Sequence, residues 1–407
     1  MNIAVAQSGG PTAAINSSLV GVYCEAMVSE GIDKVYGFLN GIEGVLQEKY
    51  VILNDLLKSD DDVDLLMKTP STALGSCRVR LPDYATAEEP YERILKTFIN
   101  YDIGAFFYIG GNDSMDTVDK LSSYIQSKGS GIKVIGIPKT IDNDVVMTDH
   151  TPGFGSAAKY IASTISEIAC DSKVYALNSV TVVEIMGRDA GWLTASSALL
   201  HLTGETAPHL IYLPELPFSV EQMLTDVRDL LDNQKSVIIA VSEGVRNADG
   251  SYVADTFMSG AVDTFGHKYL AGVGKYLENV IKAEIGCKVR SVELNIMQRC
   301  SSHIASKTDL NEARMIGGAG VRAAIAGQTG KMMTFVRMSD IPYQITTSSV
   351  DISEIANKVK PVPFEWITDS RNNIRDEALT YFLPLIEGEV TVKMNCGIPM
   401  HFDIKNV

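Results

Sequence analysis

Between residues 135 and 144 the chain reads Ile135-Gly136-Ile137-Pro138-Lys139-Thr140-Ile141-Asp142-Asn143-Asp144, one ammonium and two carboxylates just beyond an apolar run. Such a set can transfer a phosphoryl group. A carboxylate at Asp142 can take the proton of an attacking sugar hydroxyl, Asp144 can orient the site or a metal, and Lys139 can stabilise charge on the phosphate. The plain alternative is a solvated turn, since Pro, Asn, Asp and Thr are ordinary turn formers. A second polar tip, Gly110-Gly111-Asn112-Asp113-Ser114-Met115-Asp116, follows the apolar run Ala105 to Ile109. A third, Ser8-Gly9-Gly10-Pro11-Thr12, follows Ile3 to Ala6 and leads into a helix around Ala13 to Met27. Glycine lets backbone approach phosphate there, and helix starts supply N–H donors, although a Gly-Gly turn is common for backbone reasons alone.

Three strand-like runs ending in polar tips make one site when the strands are parallel, because ligands of open α/β sheets sit beyond the carboxyl ends of the strands. Further strand candidates are Val134 to Ile137, Val180 to Ile185, Leu210 to Leu213, Val237 to Val241, Ser291 to Ile296 and Met332 to Val336. Helical spacing of apolar residues marks Glu92 to Phe98, Ser156 to Ala169, Val220 to Leu231, Lys268 to Ile285 and Asp309 to Ala326. The alternation predicts α/β layers with crossover helices. Asn54 to Thr69 is acidic and reads as a solvated surface segment. Gly153 to Ala158 and Gly318 to Ala323 imitate a dinucleotide fingerprint only in part, and helix initiation and close packing explain them better. A Walker loop is absent.

With 407 residues the chain is long enough for two domains. A formal charge of -15 argues against a nucleic-acid partner. Anionic substrates then need a local basic pocket, for which Arg78, Lys139, Arg188, Arg290 and Arg299 are available. No apolar run is long enough to span a membrane, and no secretory pattern stands at the N-terminus, so a cytoplasmic location is expected. The six cysteines are scattered, which reads as reduced thiols, and no histidine spacing suits catalytic zinc. His150 lies close to the Asp142 region in sequence, and a structural role suits it best.

The chain resembles the phosphofructokinases, and within them the pyrophosphate-dependent branch. The Ser8-Gly9-Gly10 opening, Leu74 to Arg78, Gly110 to Ser114, Pro138 to Asp144, Met186-Gly187-Arg188, Ser242-Glu243-Gly244 and Met297-Gln298-Arg299 occur in family order. The resemblance implies two similar Rossmann-like α/β domains with the active site in the cleft between them. It also implies transfer of phosphoryl from magnesium pyrophosphate to the 1-hydroxyl of fructose 6-phosphate, running readily in both directions. The expected donor domain is 1–150 plus 298–340, and the sugar-phosphate domain 151–297 plus 341–407, with crossings near residues 150, 297 and 340.

By motif, Asp142 resembles the general base, with Thr140 and Asp144 beside it and Lys139 part of the catalytic set. Met186, Gly187, Arg188, Glu243 and Arg299 match the sugar-phosphate positions, and Arg290 matches an arginine that reaches the 6-phosphate of a neighbouring subunit. That role implies a homodimer or homotetramer with shared sites. Gly10, Arg78, Gly111, Asp113 and Ser114 fall on the donor side. Nucleotide-using relatives typically have glycine at the places of Asp113 and Lys139, where the inner phosphate and ribose pass. A carboxylate and an ammonium there suit a compact donor instead. Asp113 and Asp144 are the metal candidates, with Asn112 able to contribute an amide oxygen or a bound water where relatives carry aspartate. Ser179 and Ile296 depart from an arginine and a histidine of many relatives. An ATP-dependent phosphofructokinase is the nearer alternative, and a non-catalytic phosphosugar-binding regulator the more distant one.

Overall fold

The computed structural model describes residues 1–174, 176–254, 272–355 and 358–404. Two sheets organise it. The larger has seven strands: β1 (Asn2–Gln7), β2 (Val35–Phe38), β3 (Tyr50–Ile52), β4 (Ile103–Gly110), β5 (Lys133–Pro138), β10 (Lys331–Asp340) and β11 (Tyr343–Asp351). The smaller has four: β6 (Ser179–Ile185), β7 (Leu210–Tyr212), β8 (Ser236–Ser242) and β9 (Lys288–Glu293).

Strands of the central part are apolar at nearly every position because both faces are covered. In β1, Ile3 and Val5 join Ala105, Phe107 and Ile109 of β4 in one core. Ala4 and Ala6 join Phe106 and Tyr108 in the core on the other face. The period of two that separates these sets is the pleat itself. Helices Ile15–Val28 and Lys307–Ile325 cover the first face and approach closely. A Cβ at Gly21 would stand 2.0 Å from the Arg314 carbonyl oxygen, and one at Gly317 would stand 2.1 Å from that of Ser18, so glycine is what permits the crossing.

The strand orders position the site. In the larger sheet the order is β11-β10-β5-β4-β1-β2-β3, so the chain leaves β1 toward β2 and later returns to its other side at β4. The smaller sheet runs β7-β8-β6-β9, all parallel, with the same reversal at β6. At such a switch point the two connecting loops diverge and leave a crevice at the carboxyl ends.

Several expectations change. β11 pairs antiparallel with β10 from Lys331↔Asp351 to Asp340↔Tyr343, so the chain stays in the larger sheet past residue 340, through Asp351. The half-buried alternation of β11 hides it from a search for continuous apolar runs. The strand expected over 291–296 ends at Glu293, and Asn295–Arg299 forms a short 3-10 helix. Asn54 to Thr69 is not a plain surface segment. It contains a helix Asp60–Met67 capped by Ser59, whose side chain accepts from the Asp62 N–H while Asp62 accepts in return, and Leu57 and Leu66 are buried. Of the helix expected over 268–285, the described part is Val273–Ile285, and residues 268–271 lie outside the described residues. Gly153 starts helix Phe154–Ser172 at φ +104°, a conformation for which glycine is the natural residue.

Candidate active site

The polar tips of both sheets line one cleft of about 700 Å³. From the larger sheet come Gly10 after β1, Gly111, Asn112, Asp113 and Ser114 after β4, and Lys139, Thr140, Asp142 and Asp144 after β5. Arg78 arrives from the loop before helix Glu89–Asn100. From the smaller sheet come Met186 and Arg188 after β6, Glu243 after β8 and Arg299 at the end of its 3-10 helix. Gly187 does not line the cleft but shapes it. At φ +142° it donates its N–H to Glu243 Oε1 at 3.4 Å, and a Cβ there would stand 2.7 Å from the Ala190 carbonyl oxygen.

Lys139 is the most constrained of these groups. Its backbone N–H donates to Gly110 O at 2.9 Å, continuing the β4–β5 ladder, and its ammonium donates to Gly10 O at 2.5 Å. The ammonium thus lies beneath the Gly9-Gly10 turn, while the Gly110-Gly111 turn packs near the Lys139 backbone. A Cβ at Gly9 would come within 3.4 Å of the ammonium, and one at Gly111 within 3.7 Å of the Lys139 carbonyl oxygen. The side chain is buried. Burial lowers its pKa to about 7, Asp142 pulls it back up, and Arg299 and Arg78 push it further down.

Asp142 is half-buried, and desolvation raises its pKa, while a hydrogen bond from Thr140 and the charges of Arg188, Lys139 and Arg299 hold it down. Thr140 Oγ1 donates to Asp142 Oδ2 at 3.3 Å and accepts the Asp142 N–H at 3.2 Å, which fixes the carboxylate against its own backbone. Asp144 is raised to about 7 by burial and by the charge of Asp142. Glu243 is raised to about 8, mainly by burial. Acids that resist ionising and a lysine that resists protonation describe a site short of counter-charge, as expected where anionic substrate and a cation complete it.

The lysine carries a stability cost of definite sign. Its folded value lies below the unfolded one of 10.5, so the folded state loses stability as pH falls from 10.5 to about 7 and the loss is constant below that. Lys139→Met is expected to stabilise the ligand-free protein by more than about 1 kcal/mol at pH 6–7, with the gain fading toward pH 10. Thermal melts of both proteins across that range measure it, and a gain that does not change with pH would contradict the strained lysine.

Asp113 stands in the first turn of helix Asn112–Ser127, where a carboxylate favours the positive helix end. Its partner is Arg80, whose guanidinium donates to Asp113 Oδ1 at 2.5 Å. Asp113 and Lys139 therefore share the cleft without pairing with each other, and one Asp113 carboxylate oxygen is engaged by Arg80. As a metal site, Asp144 and Asn112 fit better. Asn112 Nδ2 donates to Asp144 Oδ2 at 3.1 Å, while Asn112 Oδ1 is buried with no hydrogen-bond partner among the described residues. One carboxylate plus an unclaimed amide oxygen suits magnesium, which takes few protein ligands and fills its octahedron with water and phosphate oxygen. Arg188 Nε is likewise buried without a partner among the described residues.

Arg290 stands apart. It lies on β9, the edge of the smaller sheet, and pairs with Asp171 at 3.2 Å beside Ser179, away from the cleft. Ile296 is exposed on the 3-10 helix. His150 is also outside the cleft, buried between Asp149 at 2.8 Å and Glu312 at 2.7 Å, with its pKa held up at about 9 by those carboxylates against the effect of burial.

Sequence reasoning missed Arg80, Lys120, Asp189 and Lys358, which all line the cleft. Arg80 was signalled by its spacing of two from Arg78. Lys120 was signalled by Asp116 four residues earlier on the same helix, to which it donates at 2.7 Å. Lys358 follows β11, and nothing local marks it.

Residues 2–324 match the phosphofructokinase family. The chain belongs to the phosphofructokinase family. Its similarity to a pyrophosphate--fructose 6-phosphate 1-phosphotransferase of Halomonas elongata is 39% identity over 98% of this chain and 94% of that protein. A protein of the same name from Xanthomonas campestris is 38% identical over 100% of this chain and 96% of its own length. Among solved structures, a pyrophosphate-dependent phosphofructokinase from Marinobacter aquaeolei superposes with a TM-score of 0.88 at 36% identity, covering 100% of this chain and 96% of that one. These phosphofructokinases thus match the chain well past residue 324, through the β10–β11 hairpin and the C-terminal segments. No helix among the described residues is long and apolar enough to cross a membrane.

Proposed function

We propose that this phosphofructokinase transfers phosphoryl reversibly between pyrophosphate and the 1-hydroxyl of fructose 6-phosphate. The balance is simple: the sugar oxygen forms a bond to phosphorus, the anhydride P–O bond breaks, phosphate leaves, and the hydroxyl proton passes to Asp142. The observation that carries the reading is the buried Lys139 ammonium beneath the Gly9-Gly10 turn, with a single carbonyl partner among the described residues. Its remaining donors suit the oxygens of a compact donor, and its side chain takes the space that glycine leaves open in nucleotide users. Asp113, held by Arg80 at the helix start, repels an inner phosphate at the same mouth.

In this reading Asp142 is the base, fixed by Thr140, and its raised pKa brings it toward the range where general bases work best. Arg78, Lys139, Ser114 and the N–H groups at Gly10 and Gly111 hold the donor, while Met186, Arg188, Glu243 and Arg299 hold the sugar phosphate, with Gly187 bracing Glu243. Asp144 and Asn112 would hold magnesium, which neutralises charge on the transferring phosphate when bound. The donor side belongs to the larger sheet and the sugar side to the smaller, so closing the cleft aligns the two substrates. The exposure of Arg290 on an edge strand supports a role toward a neighbouring copy, in a working unit of at least a homodimer. The substrates and six free thiols suit the cytoplasm.

Purified protein with fructose 6-phosphate, magnesium and one donor at a time tests the reading. Turnover with pyrophosphate and little with ATP is expected. Robust ATP turnover without pyrophosphate turnover would overturn it in favour of the nucleotide-dependent alternative.

A further inference from the structure

Beyond the residues that touch substrate, a buried cation is wired to the loop that carries the base. Asn143 stands between Asp142 and Asp144 with φ +54°, a left-handed conformation that needs support. Its side chain is fully engaged: Oδ1 accepts the Thr151 N–H at 3.1 Å, and Nδ2 donates to Tyr381 Oη at 2.9 Å. The ammonium of Lys360 approaches the same Oδ1 at 3.4 Å and donates to the carbonyl oxygens of Thr148 at 3.2 Å and Asp149 at 2.7 Å. The Lys360 backbone N–H donates to Asp144 O at 2.8 Å. Tyr381 Oη completes the knot by donating to Asp149 O at 2.7 Å.

A lysine that gives its side chain and its main chain to residues 143–149 is a strap across the loop. It emerges from the segment after β11, two residues past Lys358, which lines the cleft with Val359. That segment lies beyond the residues matched by the family, 2–324, so the strap is not among the matched motifs. We propose that Lys360, with Tyr381 as its second anchor, is a positioning residue that holds Asp142 in register for proton transfer by fixing Asn143 and the Asp144–Asp149 backbone. This rests on the reading of Asp142 as the base.

Charged groups and one aromatic ring surround the strap. The Lys360 ammonium faces Asp149, Asp144 and, from β10, Arg337, and lies over the Trp192 ring at 4.9 Å. Asp144 in turn faces Asp142, Asp189 and Lys360. Lys360→Met keeps the stem and deletes the charge and the donors.

In that variant kcat is expected to fall about 100-fold, the cost of a base displaced by roughly an ångström, while KM for fructose 6-phosphate stays within about threefold. A kcat loss with KM preserved is the readout that a merely structural role would not give. Tyr381→Phe, which removes one hydroxyl and no charge, should lower kcat about tenfold, again with KM within about threefold. It also covers the case in which Lys360→Met fails to fold. The wild-type enzyme is assayed alongside with pyrophosphate and with ATP. Failure of pyrophosphate there removes the donor assignment, and the strap is then judged with whichever donor works. Unchanged kcat per folded molecule in Tyr381→Phe, or in a folded Lys360→Met, overturns the proposal. A lower melting temperature with unchanged kcat in either variant would make the strap structural only, and overturns it too.

Discussion

Asp142→Asn is expected to lower kcat by about 10²- to 10⁴-fold, the usual range for loss of a positioned general base, with the KM for fructose 6-phosphate nearly unchanged. The amide is isosteric and can still accept from Thr140 Oγ1, which now donates to Asp142 Oδ2 at 3.3 Å, so the loop has no reason to move. What disappears is the group that takes the hydroxyl proton. The sugar phosphate keeps Arg188, Arg299 and Glu243, all of which still line the cleft. Steady-state kinetics with varied fructose 6-phosphate separate the two effects, and a kcat within threefold of wild type would remove Asp142 as the base. A complementary sign follows for binding. Neutralising Asp142 removes one acid that raises the pKa of Asp144 and Glu243, so both should titrate lower in the variant.

Lys139→Met is the second large effect, a loss of about 10²- to 10³-fold in kcat/KM for pyrophosphate, comparable to removing one preorganised donor from a charge-stabilising site. Two causes add. The ammonium no longer meets the phosphate, and Gly10 O loses the donor that holds its turn beneath the cleft at 2.5 Å. Arg78 and Arg299 remain, so binding of the sugar should survive better than use of the donor. Methionine fills most of the space, which keeps the nucleotide excluded. Lys139→Gly reopens that space, yet Asp113 and Arg80 still stand at the mouth, so ATP use should require a change at Asp113 as well. Comparing both variants with both donors distinguishes charge from volume, and a pyrophosphate kcat/KM within threefold of wild type in Lys139→Met would contradict the role given to the ammonium. The same substitution that stabilises the empty protein thus disables it, because the cost of burying a cation is part of being ready for an anion.

Much of the site was legible in the chain because parallel strands buried on both faces read as unbroken apolar runs, and whatever follows their carboxyl ends faces the crevice. β1, β4, β5, β6 and β8 all had that form, and Gly10, Gly111, Lys139, Arg188 and Glu243 follow from it. Elements without it went unseen. β2 has only four residues, and β3 and β11 are half-buried edge strands that alternate or pair on one side. Helix Asn112–Ser127 was also passed over, although Met115, Val118, Leu121 and Ile125 recur at helical spacing on its buried face. Its polar first turn drew attention to phosphate chemistry and away from the periodicity behind it.

The chain alone determined which chemical groups are present and in what order: an ammonium and two acids after one strand, glycine turns after two others, and arginines spaced to meet them. Local bonding rules need nothing more, since a Gly-Gly tip after a buried strand behaves alike in any parallel sheet. Only the tertiary structure decided partners and protonation. Asp113 meets Arg80 rather than Lys139, Asn112 keeps an amide oxygen unclaimed, and Lys360 reaches Asn143 across 217 residues of chain. A hydrogen-bond partner, and the pKa that burial imposes, depend on which distant segments converge and how completely they exclude water, and neither quantity is a property of neighbours in sequence.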